Sequence, residues 1–198
     1  DLKLGAIKLL GRTGTRQAVY MLKRALSDQL MDVRIFAHTA ISDLEEEYSM
    51  AIVRAEEEAA GFELDALKNL GQVYLNYARS GIPEESVALH YDEKARETFE
   101  LALANNPEDA QLCLRLAGVC IEACEMDKAE HLFKKAMNDP DLTDEVYLGL
   151  LRLAFERNDL KLLKETAITL ANMPTPPSMD PAKINMLRFW GAGGRYHE

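Results

Sequence analysis

The chain has 198 residues, 47% hydrophobic and 28% charged, and its 33 acidic against 23 basic side chains give a formal charge of −10. That apolar content supports a compact core or a short stack of repeats, while the negative balance, with no basic stripe to offset it, argues against nucleic acid as a partner. No run of about 18 apolar residues is present to span a membrane, and the sparse 11 glycines and 7 prolines favour helix over strand.

The opening Asp1-Leu2-Lys3-Leu4 is neither a signal peptide nor a start methionine, so the chain is expected to be part of a longer protein. Residues 4–10 read as a helix, Gly11-Arg12-Thr13-Gly14 as a turn and 16–26 as a second helix. After Ser27-Asp28 and Met31-Asp32 comes a third helix of about seven turns, with Val33, Phe36, Ala37, Ala40, Ile41, Leu44, Tyr48, Ile52 and Ala55 on one apolar stripe. Its glutamates at 45–47 and 56–58 point around the helix in different directions and cannot converge on one ion, so they read as a solvated face, with contact to a basic partner as the alternative. Asp32-Val33-Arg34, with Ala37 and Ile41, resembles the second helix of a HEAT repeat. That resemblance implies a capping role for Asp32 and structural hydrogen bonds from Arg34.

Further along, Lys94-Ala95, Phe99 and Ala102 recur as Lys128-Ala129, Phe133 and Ala136, each 34 residues later. The period resembles the tetratricopeptide repeat, which places small residues where two helices touch, an aromatic where they wedge apart and a proline at the exit. Ala95, Phe99, Ala102 and Pro107 take these positions in one unit; Ala129, Phe133, Ala136 and, one residue early, Pro140 take them in the next. The first helices match at Leu67, Leu70-Gly71 and Tyr74, then at Cys113, Leu116-Ala117 and Cys120. From Gly71 to Ala95 the spacing is 24, where the family pattern has about 12, so the first unit is lengthened near residues 80–91. Ser80-Gly81-Ile82-Pro83 supplies a turn and a proline at a first helical position. Val87, Tyr91, Ala95, Phe99 and Ala102 then continue the stripe of an elongated second helix. Its projecting end, with His90 and Tyr91, reads either as a cover over the N-terminal helices or as a docking knob.

A third, worn unit carries Tyr147, Leu150 and Ala154, then Leu163, Ala167 and Leu170. Pro174, Pro176 and Pro177 break the chain before Asp180-Pro181 opens a short capping helix through Trp190, and Gly191-Ala192-Gly193-Gly194 begins a flexible tail. The expected fold is all-α: a right-handed α-solenoid of tetratricopeptide repeats over 61–173, preceded by a HEAT-like segment over 1–60 and closed by 174–198.

Catalysis finds no support. His38, His90, His131 and His197 lie on separate elements, and no nucleophile elbow, phosphate loop or dinucleotide fingerprint occurs. Cys120 and Cys124 fall one turn apart, but no further ligand completes a zinc set, so with Cys113 they read as reduced core cysteines, a redox or ligand role being the alternative. No cofactor or metal is expected. The repeat resemblance implies instead a concave groove lined by the first helix of each unit. Its residues would be Lys68, Gln72, Leu75 and Asn76; then Gln111, Leu114, Arg115, Gly118, Ile121 and Glu122; then Leu148, Arg152 and Phe155. Lys68 is similar to the lysine with which some co-chaperone repeats grip a C-terminal carboxylate, but Gln72 and Arg115 replace the asparagines of that clamp. Leu75, Leu114, Ile121 and Phe155 suit an amphipathic partner segment better, burial of some of them between units being the alternative.

The order of parts, with 32–37 HEAT-like, a glutamate-rich long helix and a first repeat lengthened at 80–91, resembles the cytoplasmic region of the PelE family of the bacterial Pel exopolysaccharide synthesis machinery. This implies a transmembrane segment ahead of the chain and a scaffold role at the inner membrane. The implied partners are a cyclic-di-GMP receptor, a glycosyltransferase and a multi-pass transport protein. A general bacterial repeat adaptor, a co-chaperone, or an enzyme with a site assembled between parts of the fold are the rival readings.

Overall fold

A computed structural model describes residues 2–172, and among them every regular element is helical. The chain divides into two compact units, Asp1–Asn105 and Asn106–Glu198. The division therefore falls inside the repeat region and not near residue 60, where the sequence pattern changes.

The first unit holds α1 (Leu2–Thr13), α2 (Arg16–Ala25), α3 (Met31–Ala59), α4 (Leu64–Arg79) and α5 (Glu85–Asn105). Helix α1 continues through Gly11 and Arg12, which the sequence marks as a turn, and the chain leaves it at Gly14, φ +56°. Gly11 is there for packing: a Cβ on it would lie 3.1 Å from the Ala40 Cβ, where α1 touches α3. Thr15 caps α2 by accepting the Ala18 N–H at 3.2 Å. Asp28 accepts the Leu30 N–H at 3.0 Å and the Lys3 ammonium at 2.7 Å, turning the chain into α3. Asp32 is not the cap. It is exposed in the first turn of α3, where its charge complements the helix dipole. Arg34 does make structural bonds, donating to the carbonyls of Asp28 at 2.8 Å and Gln29 at 3.1 Å.

Two packings share the 29 residues of α3. Its first half gives Val33, Ala37 and Leu44 to a core with Ile7, Val19 and Leu22 of α1 and α2; its second half buries Ile52, Ala55 and Ala59 beside α4. The helix ends at Ala59, and its second half packs on α4, the first helix beyond residue 60. Phe36, expected within the stripe, is 39% exposed.

The lengthened connection between α4 and α5 begins inside the N-terminal core. Ile82 is 4% exposed and packs with Val19, Leu22 and Leu44, and its carbonyl accepts the Lys23 ammonium at 3.0 Å. Buried Ser80 fixes the approach, its hydroxyl donating to the Tyr77 carbonyl at 2.7 Å and accepting the Ile82 N–H at 3.1 Å. Gly81, at φ +81°, makes the bend. Pro83 precedes the helix and is not its first residue: α5 starts at Glu85, with the Glu84 carbonyl accepting the Ala88 N–H at 2.8 Å. Val87, Leu89 and His90 on the first turns of α5 are exposed.

In the second unit α6 (Ala110–Glu122), α7 (Met126–Ala136), a 3-10 turn (Pro140–Leu142), α8 (Thr143–Glu156) and α9 (Leu160–Asn172) follow. Asp109 caps α6, accepting the Leu112 N–H at 2.9 Å. Helices α6 and α8 end alike, through Cys124 at φ +60° and Asn158 at φ +55°. After each, the next N–H bonds back into the helix: Glu125 to the Cys120 carbonyl at 2.8 Å, and Asp159 to that of Ala154 at 2.9 Å. These paired turns are again 34 residues apart. The helix expected over 180–190 lies outside the described residues.

Candidate protein-binding surface

The repeat-packing positions explain how the helix pairs close. Ala95, Phe99, Ala102, Ala129, Ala136 and Ala117 are fully buried or within one per cent of it, as are Leu116 and Phe133. In the first pair the Phe99 ring seats against Gly71 so closely that a Cβ there would stand 2.6 Å from its Cε1, with Leu70 and Tyr74 buried on the same helix. Phe133 does the same with Gly149, a residue of α8 that the repeat pattern does not mark. It reaches forward into the following helix pair, whereas Phe99 closes its own. Pro107 is exposed in the loop before α6, its carbonyl accepting the Lys135 ammonium at 3.5 Å.

The groove positions divide by burial. Leu75 and Ile121, expected at the surface, are 5% and 3% exposed and belong to the core. Both α4 and α6 pack against two neighbours, α3 with α5 and α7 with α8, so each carries a wider apolar stripe than a helix packed on one side. In the first unit Lys68 is half-buried with Asp65 3.8 Å away, and Gln72 donates to the Asn76 side-chain oxygen at 2.7 Å.

In the second unit α6 and α8 lie side by side, joined by Arg152 donating to Glu122 at 3.0 Å. Gln111, Arg115, Gly118 and Glu122 follow one another at helical spacing along α6, and Leu148, Arg152 and Phe155 along α8. Gln111 and Glu122 are exposed, while Leu114, Arg115 and Gly118 are half-buried. Leu148 is 39% exposed and Phe155 69%, an apolar pair on either side of the ion pair. On its other side α8 is anchored through Arg157, which bridges Asp127 at 2.6 Å and Glu130 at 2.5 Å on α7. Hydrogen bonds from Lys134 and then Arg157 hold the Glu130 carboxyl below its ordinary range.

A polar and aromatic cluster joins α3, α4 and α5. Tyr74 donates to Glu56 at 2.5 Å, and Lys94, 3.3 Å from the same oxygen, stands 5.0 Å over the Tyr74 ring and 5.5 Å over that of Tyr91. Tyr77 meets Tyr91 edge-on at 4.9 Å and Tyr48 at 5.5 Å. The Tyr74 bond, with Lys94 behind it, keeps Glu56 ionised to lower pH, while burial and then the Glu56 charge push the Tyr74 hydroxyl upward. The cluster is a packed strut, and Tyr91 serves it as cover while its neighbour His90 remains exposed.

Among the described residues no three His, Cys, Asp or Glu side chains gather as a metal site. His38, His90 and His131 are exposed on separate helices, and His197 lies outside the described residues. Cys113 and Cys120 are buried, burial pushing the Cys113 thiol up, but Cys124 is exposed at its left-handed turn and is not a core residue. No described helix is long and apolar enough to cross a membrane.

Helix pairs closed by phenylalanine wedges and repeated turns 34 apart have a counterpart among known proteins. Residues 93–154 match the tetratricopeptide repeat family model. The match begins inside α5, beyond the lengthened connection, and ends in α8. The fold is also similar to the crystal structure of a thermophilic TPR protein of Thermus thermophilus, with TM-score 0.56 and 21% identity, covering 96% of this chain and 97% of that one. No curated protein matches the chain. The fold is therefore of the tetratricopeptide type, and the likeness runs over the N-terminal helices as well as the repeats.

Proposed function

We propose that this chain is a non-catalytic scaffold that binds segments of other proteins on the α6–α8 face. The observation that carries the reading is the exposed pair Leu148 and Phe155 beside the Arg152–Glu122 bridge, on a helix whose C-terminal end is tied to α7 through Arg157. An exposed aromatic on a fixed helix loses little entropy on binding and suits an apolar anchor of a partner segment, with the ion pair setting its register.

At a finer level, the scaffold serves a Pel exopolysaccharide synthase complex at the bacterial inner membrane. The HEAT-like start, the long glutamate-rich α3 and the lengthened first pair support this, being the order of parts that resembles PelE. In this reading the membrane anchor belongs to sequence outside the chain, and the partners are the cyclic-di-GMP receptor, the glycosyltransferase and the transport protein. The chain Asp1 to Glu198, used as bait in detergent extract, should capture at least one of them. Capture of none defeats the Pel assignment. Arg152→Glu combined with Phe155→Ala should weaken whatever is captured about tenfold or more, with helical circular dichroism unchanged; undiminished capture would move the interface off the α6–α8 face.

A further inference from the structure

The first unit contains an open groove, far in sequence from α6 and α8. It runs between α1 and α3, encloses about 380 Å³, and has the Gly11–Ala40 contact in its floor. The two walls carry opposite charge. On α1 stand Lys8 and Arg12, one helical turn apart, and on α3 stand Asp43 and Glu47, also one turn apart; all four are exposed. Among the described residues Arg12, Asp43 and Glu47 make no salt bridge, and the Lys8 ammonium lies 5.6 Å over the ring of Phe36. Phe36 itself is half open to solvent although it sits on the apolar stripe of α3. An apolar floor between a basic rail and an acidic rail is the complement of a particular object: a helix with an apolar seam, carboxylates along one flank and ammonium or guanidinium groups along the other.

The geometry points to this groove as a docking site for such a mixed-flank amphipathic helix of a partner protein. The charge pattern also sets direction. Turning the bound helix end for end exchanges its flanks, so a given partner satisfies both rails in one orientation only. Two like-charged flanks satisfy one rail and oppose the other in either orientation. This surface is independent of the α6–α8 face, and substitutions at Arg152 or Phe155 should leave it untouched.

Three fluorescein-labelled synthetic peptides test the assignment, sharing one leucine seam and differing in their flanks: glutamate on one and lysine on the other, glutamate on both, or lysine on both. Titrated by anisotropy against the full chain, the mixed peptide should bind about tenfold more tightly than either of the others, or about 1.4 kcal/mol. Asp43→Lys with Glu47→Lys makes both rails basic and should transfer the preference to the all-glutamate peptide. Thr39→Trp, at an exposed position lining the groove, should fill the space and weaken all three peptides. Circular dichroism checks that each variant stays folded. Affinity independent of the flanks, or a preference that Asp43→Lys with Glu47→Lys leaves in place, overturns the proposal. So does wild-type self-association in sedimentation that Thr39→Trp abolishes, since the occupant would then be a second copy of the chain.

Discussion

From α6 to α9 the 34-residue step survives turn by turn, with Cys124 and Asn158 in matching left-handed positions. Between α4 and α5 the step is broken by the lengthened connection, yet Gly71 still receives Phe99 as Gly149 receives Phe133. Both units seat a phenylalanine ring on a glycine, although in the first the contact closes a pair and in the second it joins two pairs. Added chain is tolerated because it brings its own burial: Ile82 fills the α1–α3 core instead of hanging in solvent. A flexible loop would have cost only closure entropy; this one ties two sets of helices together.

The largest test of that contrast is Ile82→Ala, which should destabilise the chain by about 3 kcal/mol in urea denaturation. Hydrogen exchange should locate the loss in α1–α3 and leave α6–α8 protected. A loss under about 0.5 kcal/mol, the level of an ordinary surface change, would mean that the connection is a free loop after all. Next come the two wedges. Gly71→Ala and Gly149→Ala each place a methyl against a phenylalanine ring, and each should lower stability by about 2 kcal/mol. Their effects should separate in exchange maps, α4–α5 opening in one and α7–α8 in the other; identical maps would erase the distinction between closing a pair and joining two.

The smallest effect concerns acid. Glu56 in the first unit and Glu130 in the second both titrate below the ordinary 4.5. The unfolded chain therefore binds protons first, so the stability that each carboxylate contributes is present above that value and is lost as pH falls through its folded-state pKa. Thermal melts from about pH 6 down to about pH 3 should fall less steeply for Glu56→Gln and Glu130→Gln than for wild type, each substitution costing under about 1 kcal/mol at neutral pH. Slopes equal to wild type would show that neither ion cluster steadies its unit.

The alanines and phenylalanines of the repeat were legible in sequence because close helix contact admits so few residue types. Gly149 was not, because a repeat template describes contacts within a pair and this glycine faces back onto the preceding one. The groove positions transferred less well. Leu75 and Ile121 look like surface residues when a helix is assumed to pack on one side, and α4 and α6 each pack on two. Gly11 and Asp32 misled for different reasons: two glycines close together suggest a turn, and the HEAT resemblance implies a cap at Asp32, whereas here Ala40 and Asp28 decide the outcome. The opposed rails of α1 and α3 had no signature at all, since the two helices approach only after folding.

Helix α3 behaves as a rigid shaft with a workpiece at each end. Inserting one residue between Leu44 and Ile52 would rotate the far half by about 100°, carrying Ile52, Ala55 and Ala59 off α4 while Val33 and Ala37 stayed in place. The first pair can therefore take up extra residues, chiefly as a longer α5, but the distance along α3 between its two sets of buried residues is fixed in phase, and any change tolerated there must come in near-whole turns.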